Sequence, residues 1–287
     1  MGILRTAELG SQSDDSPEGW TNLNWRRTIA RGVSEISALA RIAAPPAAGL
    51  RVLIYHAVGT RISEDRLGIY TISPERFRVH IETLAAYPNN RLTGMLEGMA
   101  GSGLRTAVTF DDGYKDNLYA AAPVLQEHGI PFTVFISTAF VQNRDPNYLS
   151  PEEVRKLARL PGAAIGTHGA THIPLTQCDD AALRNELNGS KHYLEDLLGT
   201  EVKTMSYPHG AVDRRVRDQV EAAGYAAAAC SRFDINGPGR DPLLLCRTDV
   251  LGIDSARVFK QKLHGDWDWY RRRSSDPATD SPAPRHG

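Results

Sequence analysis

The chain has 287 residues, 41% of them hydrophobic and 23% charged, with 33 Lys and Arg against 34 Asp and Glu for a net charge of -1. That length allows one large α/β domain or two small ones. The charge balance argues against nucleic acid as a partner, and no apolar run approaches the ~18–20 residues of a membrane-spanning helix. Three cysteines, Cys178, Cys230 and Cys246, with no CxxC pair, read as reduced thiols. The polar, acidic first twenty residues carry no apolar run of signal-peptide type. The expected location is therefore cytoplasmic, with peripheral membrane contact as an option set by the next segment.

Residues 1–22, rich in Ser, Asp, Gly and Glu, are expected to lack fixed structure. Residues 23–49 form an N-terminal helix and linker. The helix spans 24–42, with Trp25, Ile29, Val33, Ile36 and Ala40 on one stripe and Arg26, Arg27, Arg31 and Arg41 around it. Such a helix either packs on the main domain or makes a weak contact with an anionic membrane surface. Pro45 and Pro46 end it. From 50 to 270 short apolar runs alternate with helical stretches. The predicted strands are Val52–Tyr55, Thr106–Phe110, Phe132–Ile136, Ala163–Gly166, Val202–Ser206, Ala226–Cys230 and Leu243–Cys246, several of them continuously apolar, as in a parallel sheet covered by helices. Ser73-Pro74 opens a helix through Phe77, Ile81 and Leu84. Ser150 and Glu153 form a capping box before Val154 and Leu157. Leu183, Leu187, Leu194 and Leu197 line one long helix that stops at Gly199, and a further helix runs from Val212 to Ala223. About seven β/α repeats fit a TIM-like (β/α) barrel short of one strand, with an open doubly wound sheet as the alternative. Trp267 and Trp269 read as a latch on the last helix rather than a sugar platform, and 271–287 as a loose tail.

Polar residues placed on this map gather at strand ends. Asp111-Asp112-Gly113 ends an apolar strand, where two carboxylates are costly unless a cation or proton chemistry uses them. His168-x3-His172 follows another strand in a loop rich in glycine. Two imidazoles and a carboxylate suit a divalent metal in a catalytic site with open positions. Tyr207-Pro208-His209-Gly210 follows a third strand, and His56 ends the first. In a parallel barrel these ends share the face that holds the active site. His80, His128 and His192 fall in helical segments and His286 in the tail, so none of them is a candidate.

Thr109-Phe110-Asp111-Asp112-Gly113, His168-x3-His172 and Tyr207-Pro208-His209-Gly210 together resemble the polysaccharide deacetylase family, the NodB-homology group or carbohydrate esterase family 4, over about residues 50–265. The resemblance implies a distorted (β/α)7 barrel that hydrolyses N- or O-acetyl groups on sugars with one divalent metal, zinc by preference and Co2+, Ni2+ or Mn2+ as alternatives. It implies Asp111 as general base, Asp112, His168 and His172 as metal ligands, and Tyr207 and His209 as oxyanion and substrate residues, the backbone N–H near His209 holding the oxyanion. Two positions depart from the family pattern. Ser206 stands where an arginine often orients the base, and Arg247 is expected to replace it. The late Leu-x-His motif is represented only by Leu263-His264, so His56, in a Tyr-His-x-Val segment like that of one subgroup, is expected to be the general acid in preference to His264. The implied substrate is an N-acylated amino sugar or glycan met during intracellular assembly, lipid-linked in one version. Deformylation of a lipid-linked amino sugar, C–N hydrolysis of a non-sugar amide and a silent sugar-binding relative are the alternatives.

Overall fold

The computed structural model describes residues 32–35, 48–62, 65 and 67–273. Strand β1 (Gly49–Tyr55) is buried along its whole length. Just beyond it, β2 (Ala57–Val58) and β3 (Thr71–Ile72) make a small parallel pair. Strand β4 (Asn90–Leu92) lies beside the first half of β5 (Leu104–Phe110). Then come β6 (Phe132–Ile136), β7 (Ala163–Thr167), β8 (Thr204–Ser206), β9 (Ala227–Ala229) and β10 (Arg247–Asp249). The main sheet runs β10-β1-β5-β6-β7-β8-β9, parallel throughout. A single parallel bridge from Ala229 to Leu245 brings the free edge of β9 back to the chain entering β10. Seven parallel strands nearly closed in a ring are the distorted (β/α)7 barrel the motifs implied. Gly166 sits where a Cβ would lie 2.5 Å from the Phe135 ring and 2.7 Å from the Thr204 carbonyl, so β7 can pack between its neighbours only without a side chain there.

The helices follow their start and stop signals. In α1 (Pro74–Ala85), Ser73 caps the Arg76 N–H and the proline occupies the first turn. The helices α2 (Ala122–Glu127), α3 (Thr138–Gln142) and α4 (Pro151–Ala158) come next. The capping box of α4 is complete, Glu153 N–H to Ser150 Oγ at 3.3 Å and Ser150 N–H to Glu153 Oε2 at 2.8 Å. The long helix of the sequence reading is α5 (Asp180–Arg184) and α6 (Ser190–Leu198) joined by a π turn, Asn185–Gly189, and it stops at Gly199 with φ 68°. A second π turn, Asn117–Ala121, leads into α2. The last helices are α7 (Arg214–Ala222) and α8 (Ala256–His264).

One strand lies elsewhere than expected. Leu243–Cys246 is not a strand: Pro242–Leu244 is a 3-10 turn whose Leu243 N–H is capped by Asp241, and the strand is Arg247–Asp249. Leu243, Leu244 and Leu245 are buried, and a short buried apolar run has the same composition whether it turns or extends.

Of the predicted helix over 24–42, residues 32–35 are helical. Ser34 is buried there and its Oγ accepts the Trp269 indole N–H at 3.1 Å, while Glu35 pairs with Arg257 on α8. The rest of that segment, with Arg26, Arg27, Arg31 and Arg41, lies outside the described residues, as do 1–22 and 274–287. At the other end Asp268 takes two hydrogen bonds from the buried Arg51 guanidinium, 2.9 and 3.0 Å. The Trp267 indole donates to Gln261 at 3.4 Å. Both tryptophans are thus engaged within the protein. Among the described residues no helix is long and apolar enough to cross a membrane.

His80 is buried between α1 and α8, its ring 4.4 Å from Phe259 and parallel to it, with Nε2 3.0 Å from the Asp254 carbonyl. A carbonyl needs a donor, so Nε2 carries a proton. Burial drives its pKa from 6.5 to about 4. Between those values the unfolded chain binds a proton that the folded one does not, so stability falls as pH drops through this window, by about 3 kcal/mol in full. Urea unfolding of wild type and His80→Gln at pH 7 and pH 4.5 is expected to show a smaller acid loss in the variant. Equal losses would remove His80 from the acid response.

Candidate active site

The C-terminal ends of β1, β5, β7 and β8 open on one face of the barrel. Asp111 follows β5 directly, its N–H donating to the Tyr55 carbonyl at 3.0 Å, and His168 follows β7, its N–H donating to Ile136 at 2.8 Å. Asp111, Asp112 and His168 are 3, 7 and 2% exposed. Burial of the two carboxylates needs a compensating cation, and for Asp111 one is present. Arg247 donates Nη1 to Oδ1 at 2.7 Å and Nη2 to Oδ2 at 2.8 Å, while its Nε donates to the Cys230 carbonyl at 3.0 Å. Arg247 lies in register with Val52 in the body of β1, so its side chain rises through the barrel to the carboxylate above.

Burial raises the pKa of Asp111, but the charges of Arg247 and His168 and the two hydrogen bonds from Arg247 outweigh it and leave the carboxyl below its ordinary value. Asp112 is raised by burial and lowered further by the hydrogen bond and charge of His172, ending well below the usual carboxylate range. Both are carboxylates at neutral pH. Ser206 fills the gap beside them: its hydroxyl donates to Asp111 Oδ1 at 3.1 Å and lies 2.5 Å from His168 Nδ1.

Asp112, His168 and His172 offer one ligand atom each within 4.8 Å of one another. Asp112 Oδ1 stands 3.1 Å from His172 Nε2 and 3.5 Å from His168 Nε2. That oxygen is buried and, apart from the close approach of His172 Nε2, has no hydrogen-bond donor, as suits an atom intended for a cation. His168 Nδ1 is engaged by the Ser206 carbonyl at 3.0 Å, which turns Nε2 to the cluster, the usual arrangement of a metal-ligating histidine. Asp112, His172 and His209 have φ of 73°, 62° and 57°, the left-handed region that non-glycine residues occupy at a cost. A donor set of two imidazoles and a carboxylate fits a divalent transition metal with open positions.

The other candidates fall in different places. His56 directly follows the C-terminal end of β1 at this face: its ring lies 4.9 Å from Tyr70, and its carbonyl accepts from Asn117 Nδ2 at 2.9 Å. His264 lies at the far end of the barrel, its Nδ1 2.8 Å from Asp266, next to Gly265, which adjoins Arg51 near the start of β1. His209 is exposed, its ring 4.6 Å from that of His172 and its Nε2 3.1 Å from the His172 carbonyl. Tyr207 corrects an expectation: its side chain is wholly buried in an apolar cluster with Leu175, Leu187 and Val216 and its hydroxyl donates to the Leu243 carbonyl at 2.7 Å, so only its backbone adjoins the site. The sequence reading missed the contacts of Asn117 under His56 and the buried Glu186 beneath the histidine loop. The signal for Glu186 was its position three residues after Leu183, on the apolar stripe.

Fold and cluster define a parallel (β/α)7 barrel with a candidate Asp-His-His metal site beside an arginine-held carboxylate. Comparison with known proteins narrows the class. Residues 101–228 match the family model described as polysaccharide deacetylase, and this segment holds both aspartates and both histidines. The Bacillus subtilis (strain 168) protein named "Putative polysaccharide deacetylase YxkH" is 24% identical over 184 residues, 62% of this chain and 63% of that protein. The chain thus spans under two thirds of that relative. Among solved structures, the Streptococcus pyogenes deacetylase PplD in complex with acetate is similar at 18% identity over 76% of this chain and 99% of that one, TM-score 0.67. The polysaccharide deacetylase BC0361 from Bacillus cereus is similar at 23% identity over 75% and 69%, TM-score 0.65. These likenesses carry the fold.

Proposed function

We propose that the chain is a metal-dependent hydrolase that removes the acetyl group from an N-acetylated amino sugar or glycan. The observation that supports this best is the juxtaposition of Asp111, held by Arg247 and Ser206, with the Asp112-His168-His172 cluster. Asp112, His168 and His172 would hold the divalent ion, zinc by preference. Bound there, such an ion polarises the acyl carbonyl and lowers the pKa of a water.

The chain's own groups supply the rest. Asp111 takes the proton from water as it attacks the acyl carbon, its carboxylate kept ionised and aimed by Arg247. The N–H groups of Tyr207, Gly210 and Ala211 are engaged by the Ala229, Tyr207 and Pro208 carbonyls, and Pro208 has none, so the oxyanion donor falls to the His209 N–H. His56 gives a proton to the departing amine, which leaves poorly as an anion. Its place on the face with Asp111, against that of His264 at the opposite end, supports this assignment. His56→Ala is expected to lower turnover by about 10²–10⁴-fold with metal content unchanged, and His264→Ala to leave turnover near wild type. The reverse pattern would transfer the acid role.

The reading is tested by incubating the metal-supplemented protein with free, nucleotide-linked and lipid-linked N-acetyl and N-formyl amino sugars and measuring acetate and formate. Acetate release lost in Asp111→Asn supports it. Formate release alone would make the protein a deformylase. No release from any sugar would direct the search to non-sugar amides or to a binding role.

A further inference from the structure

We propose that Glu186 is the positioning residue that sets the spacing of the two histidines, holding the loop between them through hydrogen bonds; this rests on the metal-site reading above. Glu186 is 5% exposed and lies in the π turn Asn185–Gly189. Turns of this kind widen a helix by one residue and recur at functional sites. Its Oε2 accepts the N–H groups of Ala170 and Thr171 at 2.7 and 3.0 Å, and its Oε1 accepts the Thr171 hydroxyl at 2.6 Å. All three donors belong to the loop that joins His168 to His172.

The loop is fitted to this carboxylate. Gly169 has φ +69°, and a Cβ there would lie 2.9 Å from Glu186 Oε2 and 3.2 Å from Pro208, so glycine is required both by the backbone conformation and by the closeness of the acid. His168 is fixed separately through Ser206. The loop leading to His172, with its own left-handed φ of 62°, has Glu186 as its anchor below and the His209 ring at the His172 carbonyl. Three hydrogen bonds, two of them on one oxygen, define the loop's height over the π turn and hence where the second imidazole sits before any ion arrives. A group that orients ligands in this way ordinarily governs affinity for the ion.

The test is a Zn2+ titration of the metal-stripped full-length protein against a chromogenic chelator, with the thermal unfolding of each stripped variant recorded alongside. Glu186→Ala is expected to bind Zn2+ about 10–100-fold more weakly than wild type. Glu186→Gln is expected to stay within about threefold, because its amide oxygen can take both N–H groups and its amide NH2 can donate to Thr171. Thr171→Val, which removes one donor only, is expected to lose about threefold or more. Wild-type affinity in Glu186→Ala would overturn the proposal, and so would equal losses in the Gln and Ala variants. Should Glu186→Ala fail to fold, an unchanged affinity in Thr171→Val would overturn it. A wild-type protein that binds no Zn2+ would instead overturn the metal-site reading beneath it.

Discussion

Asp111→Asn is expected to reduce acyl release by about 10²–10⁴-fold while the protein still binds its metal. Asn preserves the shape of the side chain and one acceptor for Arg247 but cannot take a proton from water. The three ligand side chains, Asp112, His168 and His172, are untouched. The variant leaves the Arg247 guanidinium, wholly buried, without its counter-charge, so some loss of stability accompanies the loss of activity. Turnover is therefore read per mole of folded, metal-loaded protein, with zinc content measured by elemental analysis. A residual rate within roughly a factor of ten of wild type would show that the base lies elsewhere.

The second large effect is expected at Arg247. Arg247→Met leaves Asp111 buried and ionised with only Ser206 and the neighbouring histidines to answer it, and breaking such a pair costs about 3–5 kcal/mol. Turnover is expected to fall with little change in zinc content, since Arg247 touches no member of the ligand set. Arg247→Lys restores a charge but not the two parallel hydrogen bonds of 2.7 and 2.8 Å, and a point charge does not replace a fork of this geometry. It is expected to recover stability more than rate. Combining Arg247→Met with Asp111→Asn is expected to restore part of the lost stability, because neither charge is then stranded. Unchanged turnover in Arg247→Met would sink the positioning role.

Much of the barrel was readable from the chain because its strands are continuous apolar runs with polar groups at one end. Asp111, His168 and His56 each stand at the point where a strand's hydrophobicity stops, and in a parallel barrel that point has one meaning. Less was readable where tertiary context decides. Leu243–Cys246 has strand composition but turns, because Asp241 and Pro242 cap a short helix there. Arg247 was expected at the end of a strand and instead begins one; it meets Asp111 because β10 pairs with β1 in the register of Val52 to Arg247, which no local pattern encodes. Tyr207 looked like part of a surface motif, yet its ring belongs to the core on the outer side of the sheet. Glu186 is easily passed over because an acid in a helix normally faces water, although its place three residues after Leu183 sets it on the apolar stripe.

The ring has a further implication for how this protein could be cut. The segment that matches the family, residues 101–228, contains the two aspartates and the two histidines and so looks like an excisable module. It is not one. The guanidinium that holds Asp111 comes from 136 residues further along, and β1, which pairs with both β5 and β10, comes from before the segment. A fragment of 101–228 would keep every ligand and lose the cation, the strand beside the base and the bridge at Leu245. The smallest unit that keeps the candidate site complete is set by closure of the ring, from Gly49 to beyond Asp249, and the recognisable motifs cover only its middle.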